Sequence, residues 1–542
     1  MRKNTLILFF IASALISLCD VSGQPQYRGV VWDQPLEQHI AVSDLGRMAQ
    51  AGITAVRTGV VTDTTLFVVA DSLGIQFFQD LPLAYLPAVQ YADSVDQYLD
   101  KNLPILVDRA RRFRSSSTYG LSLKSDTTEE LLCDAMTDAA ERMTRAAADG
   151  GVALYYVTEF LDNDACQSGR VFTLYGRSAS ERYLSNGSRS RVVGLSVGYR
   201  VVHGRRGGWR HLHSEEQQAR RLEQTLIRVF DLPSVAALFI NRWSDDPTRT
   251  SHDGDALGRQ FGILGPGGIP GPAFGVVRGM FTGHQLVFAI DAGKPRQITG
   301  VWLVILGWIL MGSVSVAYGV SPQMRQMAPR YFMSHGFFRE SVAEGRAAIP
   351  VASLVILFAI AVSAGIIGTV IITHFSETRM VQAFVFSLPG SLQVLAPLFI
   401  TRPALLCVLI ACLYALFMTM WTSLLSIWSN FGSVLLLPWQ TLLLVVWPRW
   451  PILLVMLAAL SVSAGNTSTT AVAIICVATI VTAVSSIYRT INDYRLTAGL
   501  SYLKLIIPLL LNPSLLLLTV TTIIVLANRD IAAFMIHLLR LQ

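Results

Sequence analysis

Charge is what this chain has least of: 15% of its 542 residues are Asp, Glu, Lys or Arg, against 52% hydrophobic residues. That balance excludes an ordinary soluble globule. Cysteine is scarce too, six in all, too few for a disulfide scaffold. No Gly-rich phosphate loop follows any candidate strand, which argues against nucleotide binding. The long apolar runs of the second half hold no embedded stretch of Asp, Glu or His to mark an ion or proton path, and Asp493 and Glu377 read as loop residues. Glutamate is also missing from residues 191–200, RVVGLSVGYR, an absence that bears on function.

The averages conceal two halves. From Gly300 onward there are 12 basic and 5 acidic residues, so the net charge of +7 resides there, and the preceding residues carry 31 of each sign. A basic excess confined to an apolar half fits the positive-inside bias of cytoplasmic loops and not nucleic-acid binding. We expect a signal peptide over 1–23, an exported domain over 24–297 and a membrane domain over 298–542. Arg2 and Lys3, the apolar run 5–18 and the small residues before Gln24 have the layout of a cleaved secretory signal. Cys19 opens a lipoprotein alternative, which the bulk of Leu18 disfavours. Cys133 and Cys166 share the exported half, where pairing and free thiols are both open. Cys407, Cys412 and Cys476 lie in apolar segments, where buried thiols are expected.

The first membrane span is expected over 298–320, long enough for the hydrocarbon core at about 1.5 Å per residue. The loop after it carries Arg325, Arg330, Arg339 and Arg346 against Glu340 and Glu344, which puts it in the cytoplasm. Further apolar stretches at 350–373, 383–400, 404–428, 430–447, 451–464, 468–487 and 505–527, several broken by proline, suggest five to seven spans. The expected setting is a bacterial inner membrane, crossed several times, with the N-terminal domain on the periplasmic or extracellular side. The basic segment 488–504 should again be cytoplasmic, and 531–542 reads as an interfacial helix. This half reads as an anchor or assembly platform, with a transporter as the alternative. Its sparse charges, its polar loop after the first span and YRTINDYRLTAGLSYLKLIIPLL before the last resemble a Yip-family membrane domain.

The exported half alternates short β-rich runs with helical patterns. Strands are expected at 27–32, 54–59, 75–80, 119–123, 153–160, 170–175, 191–201 and 235–243, and helices at 43–51, 64–73, 129–148 and 214–230. Eight strands alternating with helices suggest a (β/α)8 TIM-type barrel, with a doubly wound open sheet as runner-up.

AGITAVRTGVV followed by VVADSLGIQFFQDLPL resembles the second and third strands of glycoside hydrolase family 2, with Arg57, Asp71 and Gly74 matching. LFINRWSDD resembles the eighth strand, Trp243 standing where these enzymes keep an aromatic sugar platform. RQFGILGPGGIPGPAFGVVRGMF resembles the closing segment.

Retaining glycosidases need two carboxyl groups about 5–5.5 Å apart. The resemblance implies an Asn-Glu pair ending strand four and a glutamate ending strand seven. This chain has Ser125-Asp126 and Ser196-Val197-Gly198 there, so the retaining mechanism fails on this alignment. Glu159, in YYVTEFLDND, falls on strand five; a strand count slipped by two would make it the nucleophile beside Asp126 as acid. Glu159, Asp162 and Asp164 otherwise read as a solvated rim or a calcium site. An inverting scheme pairing Asp126 with Asp80 or Asp245 is unmotivated. His203, His211 and His213 lie in HGRRGGWRHLH, which reads as a flexible basic loop. Trp32, Tyr85, Tyr199 and Trp243 are candidate cleft aromatics, against a bland reading as core. The candidate substrate-binding set is Arg57, Asp80, Tyr199, Trp243 and Asp245, with no metal and no cofactor expected. The expected partners are carbohydrate or envelope glycan, the lipid bilayer and other envelope subunits, and not nucleic acid. The leading expectation is a non-catalytic glycan-binding or structural subunit of a cell-envelope assembly; an active membrane-bound retaining β-glycosidase and a sugar-linked transporter component are the alternatives.

Overall fold

The computed structural model describes residues 25–147, 151–169, 171–186, 191–245, 252, 260–293, 301–345, 350–376, 402–464 and 469–512, with isolated positions between 378 and 400 and between 515 and 523. The expected signal peptide, Glu377, the expected C-terminal helix and much of the stretches 383–400 and 505–527 lie outside the described residues. The chain divides into two compact units, one mainly Met1–Arg296, the other mainly Gln297–Val381 and Gly390–Ala532.

In the first unit eight runs form parallel strands: β1 (Tyr27–Val31), β2 (Ala55–Gly59), β3 (Gln76–Asp80), β4 (Thr118–Leu123), β5 (Ala153–Thr158), β6 (Phe172–Tyr175), β7 (Val193–Val197) and β8 (Val235–Ile240). They pair in chain order and close, β1 against β8, into the expected barrel. The helices are α1 (Gln38–Gln50), α2 (Thr64–Leu73), α3 (Ala88–Arg112), α4 (Glu130–Ala147), α5 (Arg177–Asn186), α6 (Glu215–Phe230) and α7 (Pro272–Thr282). Helix α3 gives a poor sequence signal because Pro104 lies inside it.

Strand alternation sets two faces. Outward, Val30, Val56 and Phe77 join Leu45, Met48, Leu66 and Phe67 of α1 and α2 in one apolar layer. Inward, Phe78 meets Tyr27, Tyr155 and Phe239 at centroid distances of 5.2, 5.3 and 4.9 Å, so the barrel is plugged by rings. Gly120 makes room for them: a Cβ there would fall 2.8 Å from Tyr155 Cζ and 2.9 Å from Asp80 Oδ1.

Cys133 of α4 and Cys166, which follows β5, form a disulfide with Cα atoms 5.0 Å apart. Beside it Asp164 accepts from the Tyr156 hydroxyl at 2.8 Å and from the Cys166 amide at 3.0 Å. Burial pushes this carboxyl up to about 6 despite those donors.

The second unit contains α8 (Val301–Val320), α9 (Pro322–Met333), α10 (His335–Ala343), α11 (Pro350–Phe375), α12 (Pro403–Trp428), α13 (Pro438–Val446), α14 (Pro451–Ala464), α15 (Thr469–Ala498) and α16 (Tyr502–Leu510). Among the described residues four helices are long and apolar enough to cross a membrane, or five if the bent pair Pro438–Arg449 and Pro451–Val462 counts as one span, where sequence suggested five to seven. Helices α11 and α12 approach closely at Gly365, where a Cβ would lie 2.5 Å from the Cys407 carbonyl oxygen. Cys407 is buried as expected, but Cys412 is exposed on the surface of the unit.

One expectation is corrected. Asp493 is not in a loop but inside α15, and only 1% exposed. The apolar run ends near 487, yet the helix continues because Ser486, Thr490, Asp493 and Thr497 recur at helical spacing on a face the other helices bury.

Two outcomes follow for the barrel. The disulfide closes a separation of 33 residues; replacing both cysteines by serine should cost about 3–4 kcal/mol by chain entropy, read by denaturant unfolding of the full chain in detergent. Asp164 binds its proton more tightly folded than unfolded, so barrel stability should fall as pH rises from about 4 to about 6. Asp164→Asn should flatten that slope in thermal unfolding scans.

Candidate functional site at the barrel mouth

Groups at the C-terminal ends of barrel strands converge on one mouth, where loop variation builds sites. On β2 and β3 the inner-face residues Arg57 and Asp80 meet: Arg57 Nε lies 2.9 Å from Asp80 Oδ2 and 3.2 Å from Oδ1. From β5 the Tyr155 hydroxyl donates to Asp80 Oδ1 at 2.7 Å. His252 Nε2 reaches Asp80 Oδ2 at 3.1 Å, and its Nδ1 reaches Asp33 Oδ1 at 2.8 Å. Asp33, just past β1, also pairs with Arg242, just past β8. One ring of alternating charge thus joins β1, β2, β3, β5 and β8.

Burial by itself would raise the Asp80 carboxyl, but the Arg57 and His252 charges and the Tyr155 hydroxyl outweigh it and hold Asp80 below the usual carboxylate range. The same burial and the Asp80 charge push Tyr155 well above the usual phenol range. Asp80 is therefore a fixed anion and Tyr155 a fixed donor.

A second cluster lies past β7 and β8. His203 Nε2 sits 2.6 Å from Asp245 Oδ2, while Asp245 Oδ1 accepts from the amides of Gly262 at 2.8 Å and Phe261 at 3.3 Å. Burial raises the Asp245 carboxyl, opposed by His203 and the Gly262 amide. Glu215, at the start of α6, lies 3.9 Å from His203 Nδ1 and accepts from the Gly204 amide at 2.8 Å.

The remaining candidates fall elsewhere. Asp126, past β4, accepts from the Thr128 hydroxyl at 2.6 Å. Glu159 immediately follows β5, and its carboxylate accepts the Ala179 amide at 3.1 Å in the first turn of α5, where the helix dipole favours an anion. Val197 ends β7, 1% exposed, its carbonyl taken by the Asn241 amide at 2.7 Å. Tyr199 turns to the outer wall, its hydroxyl 2.5 Å from Thr225 of α6 and its ring under Arg221. Trp243 and Trp32 are fully buried: Trp243 packs edge-on against Phe274 of α7, and Trp32 donates to Asp44 of α1 at 3.1 Å. In this structure neither ring offers a sugar an open face. Among the described residues no group of three metal-ligating side chains forms.

The structure thus unites Arg57 and Asp80 but places Asp126, Glu159, Tyr199, Trp243 and Asp245 outside their ring. Sequence reading missed Asp33, Tyr155, Arg242 and His252. Arg242 adjoins Trp243 and was within reach as a strand-end residue; His252 carries no periodic signal. Replacing Arg57 by Leu should cost about 3–5 kcal/mol at pH 7, because Asp80 loses its principal counter-charge in a dry site. The double change Arg57→Leu/Asp80→Leu should recover most of that loss, both read by denaturant unfolding.

The chain matches no family model, and no curated protein matches it in sequence. Among solved structures it is similar to a GH2 β-galacturonidase from Eisenbergiella tayi bound to galacturonate, at 16% identity over 49% of this chain and 52% of that one, with a TM-score of 0.40. It is also similar to a Faecalibacterium prausnitzii β-glucuronidase, at 13% identity over 49% and 50% with a TM-score of 0.39. A Ruminococcus gnavus β-glucuronidase in complex with C6-substituted uronic isofagomine gives 15% identity over 48% and 50%, with a TM-score of 0.38. The chain spans about half the length of each of these proteins.

Proposed function

We propose that this is a membrane-anchored, non-catalytic, glycosidase-like barrel that serves as a glycan-binding or structural subunit of a cell-envelope assembly. The observation that carries this reading is the state of the mouth carboxylates. Asp33 and Asp80 are held by arginine and His252, Asp126 by Thr128, Glu159 by the Ala179 amide, and Asp245 by His203 with two backbone amides. A retaining reaction needs one carboxyl that can donate a proton beside one free to attack. Asp80, held as an anion, cannot be the proton donor. Val197 in place of a glutamate supports the same reading.

The Cys133–Cys166 bridge fits an oxidising compartment, and the basic excess of the membrane half fits an inner membrane with the barrel on the periplasmic or extracellular side. The Yip-like texture of that half fits a platform.

The full chain in detergent should be retained on an affinity gel of its envelope glycan and release no chromophore from a panel of aryl β-glycosides. Chromophore release abolished by Glu159→Gln or Asp245→Asn would overturn the non-catalytic reading. Absence of both retention and release would leave the structural role, which requires fixed partners to co-purify after gentle extraction.

A further inference from the structure

Arg449 closes the turn Trp447–Arg449 between α13 and α14, at the break where Pro438–Arg449 and Pro451–Val462 bend by 41°. It is 5% exposed. Its guanidinium donates to the Val445 carbonyl and, at 3.2 Å, to the Thr490 hydroxyl of α15, and stands 5.2 Å from the Trp421 ring centroid. All of these are neutral partners. Among the described residues no carboxylate lies at ion-pair distance from Arg449. A buried cation without a counter-charge is costly, and broken helices in membrane proteins are where guest ions and head groups bind.

The surroundings hold further buried polar atoms without a partner among the described residues. Trp447, 5% exposed, packs on Tyr331 and Phe338 at 5.6 and 5.8 Å, and its Nε1 has no partner among the described residues. Asp493, one turn after Thr490 on α15, receives His335 Nε2 on Oδ1 at 2.8 Å, while its Oδ2 has no partner among the described residues. Fully buried Tyr331 links them: it touches Trp447 and His335, lies under the Arg489 guanidinium at 5.3 Å, and feels the charges of Arg449 and Asp493.

The charge inventory decides the class of guest. His335 Nδ1 faces the Tyr331 carbonyl at 3.0 Å, an acceptor only, so Nδ1 carries hydrogen. Its Nε2 meets Asp493 Oδ1 at 2.8 Å, so the one carboxylate of this cluster is already engaged by His335. Among the described residues Arg449 and Arg489 have no carboxylate at ion-pair distance, and the Trp447 N–H has no acceptor. A guest must therefore be an anion with several acceptor oxygens, and Asp493 Oδ2 suits a hydroxyl on the same guest. Trp447, Trp450 and Tyr331 around the break are the residue types that sit at head-group depth.

We propose that the break between α13 and α14 binds the phosphate head group of an anionic lipid, with Arg449, Arg489 and Trp447 Nε1 as its donors. This site is independent of the barrel's role. Its test is thermal unfolding of the full chain in detergent, titrated separately with dihexanoyl phosphatidylglycerol, inorganic phosphate and dihexanoylglycerol. The phospholipid should raise the melting temperature saturably and the other two should not. Trp447→Phe, which removes only the N–H from an aromatic ring, and Arg489→Gln, at an exposed position, should each weaken the phospholipid about tenfold. An equal shift from inorganic phosphate would overturn the lipid as the source of the anion. An equal shift from dihexanoylglycerol, or unchanged binding in both variants, would overturn the site itself. Both variants keep the test decisive should Arg449→Gln fail to fold.

Discussion

A carboxylate buried at the end of a barrel strand must be met by cations or lose its charge, and the mouth of this barrel is organised around that requirement at Asp80. Arg57 comes from the neighbouring strand, Tyr155 from β5 and His252 from the segment after β8. His252 passes the constraint to Asp33, and Asp33 to Arg242. Below this ring Phe78, two residues before Asp80 on the same inner face, meets the rings that fill the barrel. Gly120 bears on both layers, since any side chain there would strike Tyr155 and Asp80 together. The polar ring and the aromatic plug therefore share one fit.

Much of this was legible in sequence, for a physical reason. Barrel strands read as short apolar runs between turns, so all eight were found, and Arg57, marked by the family resemblance, and Asp80 both lie on strands read from the sequence. The partners of Asp33 were not legible. Arg242 and His252 lie 209 and 219 residues away, and only barrel closure brings β8 beside β1. Residues past strand ends are less legible for a related reason: strand alternation no longer dictates direction there. Trp243 follows β8 and turns under α7, and Glu159 follows β5 and turns to the start of α5.

The membrane half shows the complementary limit. Hydropathy averages over all faces of a helix, so the polar end of α15 looked like a loop, although its polar residues share one buried stripe. Averaging hides the feature that matters in an apolar solvent, which is one ionisable group facing inward.

The two halves can then be compared by a single rule. Arg57 and Arg242 are as deeply buried as Arg449, and each meets a carboxylate supplied by the chain itself. Their charges are offset internally, by Asp80 and Asp33. Arg449 meets a carbonyl, a hydroxyl and an indole face. Those partners interact with Arg449 without cancelling its charge, and the nearby Asp493 is already engaged by His335. The buried arginines of the barrel mouth are paired with carboxylates, whereas the half read as an anchor holds a buried arginine with no carboxylate at ion-pair distance among the described residues. Ligand recognition in this protein is therefore to be sought in the membrane half as well as in the barrel its fold advertises.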